Sequence, residues 1–215
     1  IRYATEETLA QLSAEEKARA VILVQDAFTS YFETGFVLDS LKLLQKLGFV
    51  PLVAPFKPNG KPLHVHGFLK AFAKTAETNA THLNRLAESG IALIGLEPAM
   101  TLVYRAEYKK VLGDKAPNVQ LIQEWLAKQL PALKDKASLF AGGDFGLLAH
   151  CTEKTNAVAS IRDWQKVFEA LGQSLKVIET GCCGMAGTYG HEAENVETSK
   201  KLYQMSWSEV VNNPA

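Results

Sequence analysis

Ala20-Val21-Ile22-Leu23-Val24 is an apolar run that gives way at once to the polar stretch Gln25-Asp26-Ala27-Phe28-Thr29-Ser30-Tyr31. A short apolar run rich in β-branched residues suits a strand covered on both faces, as in a parallel sheet. The polar stretch then falls where an α/β fold places functional groups, at the carboxyl end of a strand. Downstream, residues 36–47 have helical periodicity and stop at Gly48, a natural C-terminal cap. Residues 49–53 read as a second strand, 56–62 as a turn-rich loop, 67–89 as a helix and 91–96 as a third strand. Glu97-Pro98-Ala99-Met100 opens the next helix, with proline near its first turn. Upstream, residues 5–17 space Leu9, Ala10, Leu12 and Ala14 as one amphipathic helix.

After a connecting loop and a helix around residues 123–130, the order restarts. Residues 137–141 and 146–149 read as short strands flanking Gly142-Gly143-Asp144-Phe145, a tight connection that leads to His150-Cys151-Thr152. Residues 157–171 form a helix capped by Gly172, residues 175–178 a strand running into Gly181-Cys182-Cys183-Gly184, and residues 192–211 a helix. Leu47-Gly48 matches Leu171-Gly172 at an offset of 124 (171 − 47), and Val53 with Val177 and Gly60 with Gly184 keep it. The competing reading is chance, since βα units look alike. The register sets Ala27 opposite Cys151, and Pro58 and Asn59 opposite Cys182 and Cys183. The expectation is an α/β fold of two pseudo-repeated parallel-sheet units with flanking helices, residues 1–135 and 136–215. The counterpart of Pro98-Ala99-Met100 would fall at 222–224, past Ala215, where a fourth ligand is expected.

The chain has 215 residues, 47% of them hydrophobic, enough for one large domain or two small ones. Its net charge is zero, and no basic stripe favours nucleic acid as a partner. No apolar run approaches the roughly 20 residues of a membrane span, and no signal peptide is visible. The first residue is Ile1, which reads as a piece of a longer polypeptide or as ordinary N-terminal processing. Three cysteines make no disulfide framework and point to free thiols or metal ligands in a reducing compartment.

The chemistry concentrates in Gly181-Cys182-Cys183-Gly184-Met185-Ala186-Gly187-Thr188-Tyr189-Gly190. Adjacent cysteines do not readily bond to each other, but a glycine-rich turn lets both thiols face one bound object. With Cys151 they read in three ways. One is an iron–sulfur centre, a second is zinc completed by His150 or His191, and a third is small apolar packing residues. His64 and His66 would face the same way if their segment were extended, and so bind a metal or an anion. The alternative is ordinary loop histidines. Asp26, Lys57, Asn59 and Lys61 stand at strand ends, either lining a cleft between the halves or simply solvated.

Cys151, Cys182-Cys183-Gly184 and the Met185–Gly190 stretch together resemble the cysteine-rich CCG domain. That domain occurs in one subunit of heterodisulfide reductase, in the iron–sulfur subunit of glycolate oxidase and in one subunit of anaerobic glycerol-3-phosphate dehydrogenase. It also ends large bacterial FAD-linked oxidases of D-2-hydroxy acids such as D-lactate or D-2-hydroxyglutarate. Residues 57–65 and 97–108 look most like that last group. The resemblance covers nearly the whole chain. It implies a doubled unit in which Cys151, Cys182 and Cys183 are ligands of an iron–sulfur cluster of 4Fe-4S type. In the first unit, Ala27, Pro58, Asn59 and Met100 stand where the family has cysteines, leaving Asp26, Asn59, His64 and His66 beside a vacated pocket. The implied role is an electron relay from FAD, bound elsewhere in the larger protein, toward an unnamed acceptor. The implied partners are flavin and ferredoxin-like domains, and the implied location is the cytoplasm or the inner face of the membrane. A zinc-binding or metal-free structural module of the same protein is the alternative.

Overall fold

A computed structural model of the protein describes residues 1–187 and 189–213, so Thr188, Pro214 and Ala215 lie outside the described residues. The first half is built on a four-stranded parallel sheet: β1 (Ala20–Leu23), β2 (Val50–Val53), β3 (Ala92–Gly95) and β4 (Val119–Leu121). They are ordered β2-β1-β3-β4. All four residues of β1 are buried, because helices cover both faces of the sheet. Side chains alternate across a strand. Val21, Leu23, Val53 and Ile94 therefore meet the Thr34–Lys46 helix through Val37, Leu41 and Leu44. Ile22, Leu52 and Leu93 meet the Leu69–Ala87 helix through Phe72, Ala76, Ala80 and Leu83. Each side chain buried this way contributes about 1.5–3 kcal/mol relative to exposure.

The second half holds a two-stranded parallel sheet, β5 (Asp144–Leu147) and β6 (Ser174–Val177). Its strands lie 124 residues after β1 and β2. The pairing of Ala20 with Val50 through Leu23 with Val53 returns as Asp144 with Ser174 through Leu147 with Val177. The Thr34–Lys46 helix returns as Val158–Ala170. Main-chain hydrogen bonds repeat one by one. Phe49 N–H to the Leu44 carbonyl (3.0 Å) returns as Gln173 to Phe168 (2.8 Å). Val50 to Arg19 (2.9 Å) returns as Ser174 to Gly143 (2.9 Å), and Ala54 to Leu23 (2.8 Å) as Ile178 to Leu147 (3.0 Å). The cap glycines recur in the left-handed region, Gly48 (φ +91°) with Gly172 (+71°) and Gly60 (+77°) with Gly184 (+91°).

The halves share a core layer. Val167, Ala170 and Leu171 of the second half join the cluster of Trp125, Leu126 and Leu133 from the first. Beneath this layer Glu153, 2% exposed, accepts hydrogen bonds from Gln123 Nε2 (2.8 Å) and Ser160 Oγ (2.6 Å).

Several local expectations change. Residues 5–17 form two short helices, Glu6–Ala10 and Ala14–Ala18, because Ser13 and Glu16 close a reciprocal capping box between them. Residues 137–139 form a short 3₁₀ turn, and the strand begins at Asp144. The 109–135 stretch contains β4 and two short helices, Ile122–Leu126 and Leu130–Lys134. No helix among the described residues is long and apolar enough to cross a membrane.

Candidate functional site

Strand order β2-β1-β3-β4 puts the topological switch between β1 and β3, where open α/β sheets bind ligands beyond the carboxyl ends of the strands. Both strands end there in a capping carboxylate. Asp26 caps the Ala27–Tyr31 helix, accepting from Thr29 N–H (2.9 Å) and Thr29 Oγ (2.6 Å). Glu97 caps the Pro98–Leu102 helix by accepting from Met100 N–H. Beyond β2, the buried Asn59 accepts from Lys61 N–H (3.0 Å) and donates to the Met100 carbonyl (3.2 Å). Tyr108 donates to the Asn59 carbonyl (2.9 Å).

These turns enclose a cavity of about 190 Å³ walled by Ala27, Pro58, Asn59, Leu63, Thr75 and Met100, among others. Ala27, Pro58 and Asn59 are the residues 124 positions before Cys151, Cys182 and Cys183. In the first half, the backbone thus gathers all three positions around one space.

In the second half His150 takes Asp26's role, its Nδ1 accepting from Thr152 N–H (3.1 Å) to cap the Cys151–Asn156 helix. Cys151 and Cys182 are exposed, Cys183 is half-buried, and all three thiols are free. Gly184 N–H points at Cys182 Sγ (3.3 Å). The loop is clasped by the helix Val196–Ser206 and the residue after it. Ser206 Oγ donates to the Cys182 carbonyl (2.9 Å) and Trp207 Nε1 to the Gly181 carbonyl (3.1 Å). From the other side, Lys154 Nζ donates to the Thr180 carbonyl (2.7 Å). Gly184 itself lies against Ser199, as Gly60 lies against Thr75, again 124 residues apart.

The two halves touch at this end, where His150 Nε2 stands 3.5 Å from Glu97 Oε1. Burial pushes the Glu97 carboxyl above its ordinary value, and the Asp26 charge adds to this against the bonds from Met100 and Ala99. Burial also pushes the His150 imidazole down, with Glu153 opposing and Lys154 assisting. Both shifts favour neutral forms and so work against an ion pair at this contact.

The remaining candidates are dispersed. Lys61–Val65 is a short helix rather than an extended segment, so alternation does not bring His64 and His66 together. His64 packs against Phe72 (ring centroids 5.0 Å apart), while His66 is exposed. His191 ends the short turn Tyr189–His191. Among the described residues, no group of three or more His, Cys, Asp or Glu side chains is placed to hold a metal ion. Thiolates suit iron–sulfur or zinc chemically, and the thiols of Cys151, Cys182 and Cys183 are all free.

Sequence reading missed Glu97, Ser206 and Trp207 as parts of this site. For Glu97 a signal existed, its place just before a helix-opening proline. The clasp has none, because a side chain reaching 24 or 26 residues back leaves no periodic trace.

The chain is 52% identical over 206 residues to the D-2-hydroxyglutarate dehydrogenase of Pseudomonas putida, covering 95% of this chain and 20% of that protein. It is 45% identical over 209 residues to the Escherichia coli K12 protein of the same name, covering 96% and 20%. More distantly, it is 26% identical over 189 residues to one subunit of the anaerobic glycerol-3-phosphate dehydrogenase of E. coli K12, covering 85% and 47%. The chain thus spans about a fifth of the length of the first two curated relatives. No family model and no solved structure matches it.

Proposed function

We propose that this chain is a module of a larger oxidoreductase that oxidises a D-2-hydroxy acid, with D-2-hydroxyglutarate as the first substrate to try. The observation that carries this reading is the 52% identity, sustained over 95% of the chain, to a protein of that name. In this reading FAD, held elsewhere in the larger protein, would supply the redox chemistry at the hydroxy acid. Cys151, Cys182 and Cys183 would hold an iron–sulfur centre, with a further ligand from outside this set, and that centre would supply an electron path from the flavin to an acceptor. The first half supports that assignment, because it gathers the three equivalent positions around one cavity. This chain's own residues would hold the thiols rather than act on substrate: His150 fixes the Cys151 helix, and Ser206 and Trp207 fix the Cys182 turn.

A second reading is a zinc-binding or metal-free structural module of the same protein, with His150 beside Cys151 as a zinc donor in the first case. Metal and sulfide content, with anaerobic visible and EPR spectra, separates the two on the full-length protein beside its Cys182→Ser variant. Iron with a chromophore lost in the variant supports the relay. One equivalent of zinc supports the structural module. Neither metal, with unchanged stability in the variant, leaves the thiols as packing residues. Failure of the full-length protein to oxidise D-2-hydroxyglutarate or D-lactate would remove the substrate assignment.

A further inference from the structure

We propose that the carboxyl end of the first sheet is a docking surface for another part of the larger oxidoreductase, which seats an apolar side chain in the cavity beside Ala27 and Met100. This rests on the reading above that the chain is one module of a longer protein. The cavity, about 190 Å³, has walls of Ala27, Pro58, Leu63, Thr75 and Met100. Its amide, Asn59, is already bonded to Lys61 N–H and the Met100 carbonyl, so it offers little to a polar guest. Apolar cavities of roughly 150 Å³ stay dry and accept an apolar group. A leucine or aromatic side chain matches that size and chemistry.

The surroundings have the character of an interface. Tyr31 (67% exposed) and Phe32 (81%) end the helix that carries Ala27, and Phe36 (51%) stands in the first turn of the next. Val65 (67%) ends the short helix that carries Leu63, and Phe68 (62%) and Leu69 (58%) follow it. Tyr31 packs edge-on against Phe56, with centroids 5.3 Å apart, so these rings form a built surface. Six large exposed apolar side chains on the two segments that give Ala27 and Leu63 to the cavity wall exceed the singly scattered hydrophobes of an ordinary surface. Aromatic anchors around a pocket are the usual core of an interface. The occupant follows from length. The relatives that share about half of this sequence are about five times longer, so four fifths of such a protein lies outside the matched region and is at hand to cover this face. Position gives the docking a purpose. Met100 lies on the Pro98–Leu102 helix, which packs against the Cys151–Asn156 helix. A partner seated in the cavity therefore lies one helix away from a candidate thiol ligand.

The test uses the polypeptide as expressed from its own gene. A benzophenone amino acid replaces Phe32 in one version, Phe68 in a second and the exposed Lys200 in a control. After irradiation the cross-linked peptides are mapped. The expected result is a cross-link from the Phe32 and Phe68 positions to a segment outside these 215 residues, at five-fold or more the control yield. The Phe68 cross-link is lost when Phe32→Asp and Phe36→Asp are added. Cross-links no stronger than the control, or cross-links joining two copies of this chain, overturn the proposal. Oxidation of D-2-hydroxyglutarate is assayed on the unmodified protein in parallel. Cross-linking without oxidation leaves the docking surface standing and removes the functional reading; oxidation without cross-linking does the reverse.

Discussion

Gly184 and Gly187 stand three residues apart in one loop, both with positive φ, yet they face different surroundings. Among the described residues a methyl group on Gly187 would meet nothing within 4 Å, whereas one on Gly184 would lie 2.4 Å from the Ser199 carbonyl oxygen. Gly187→Ala should therefore cost only the left-handed backbone strain of about 1–2 kcal/mol. Gly184→Ala should cost more, because the loop must also leave the helix behind it. Urea midpoints of the two variants check the ranking, and equal losses would refute it. His82 offers a second residue-scale test. Its Nε2 is buried with no hydrogen-bond partner among the described residues. Burial, and then the Lys57 charge, hold its imidazole below the ordinary value near 6.5, with the Pro55 carbonyl pulling the other way. The folded state therefore prefers neutral His82. The associated stability is present above pH 6.5 and is lost as pH falls through the lower folded value. On acidification from pH 7 to pH 5, a His82→Gln variant should lose less stability than the wild type. A constant difference between their midpoints across that range would rule His82 out as the cause.

Among the elements, the two turns after β2 and β6 are alike in course and unlike in support. Tyr108 and Asn79 hold the first from inside the core, through the carbonyls of Asn59 (2.9 Å) and Pro58 (3.4 Å). Ser206 and Trp207 hold the second from an exposed helix end. Trp207→Phe keeps the ring and removes the N–H. With a net worth of about 1 kcal/mol for one such bond, amide exchange at Cys183 and Gly184 should rise roughly five-fold. Exchange around Gly60 should stay unchanged, and no rise at Gly184 would show that the clasp does not set the turn. This asymmetry also explains what was legible in the sequence. Strands β1, β2, β3 and β6 fell near their expected places, three of them as apolar runs whose strands are mostly or wholly buried. Strand β4 escaped because Val119-Gln120-Leu121 is too short to show a period. The expected strand at 137–141 became a turn, and β5 instead runs through Gly146, where a side chain would strike Ile178. The cysteines announced themselves by type and spacing, but what holds them in place is tertiary and leaves no local mark.

At the scale of the whole molecule the halves are joined through Glu153, a buried carboxylate bonded to Gln123 across the junction and to Ser160 within its own half. Removing Glu153 takes the acceptor from the buried Gln123 amide, and removing Gln123 leaves Glu153 with Ser160 alone, each at about 1–3 kcal/mol. Glu153→Leu and Gln123→Leu should each destabilise by that order, and the double variant by clearly less than their sum. Strict additivity in a denaturation cycle would mean that the halves are held by the shared apolar layer alone. The repeated register has a consequence for engineering. One backbone appears twice in this chain, once with sulfur at the key turns and once without, and it keeps its main-chain bonds in both. The first half therefore takes this shape without thiols at those turns. The first half is a blank socket, and Ala27→Cys, Pro58→Cys, Asn59→Cys and Met100→Cys together would ask whether ligands alone are enough to fill it.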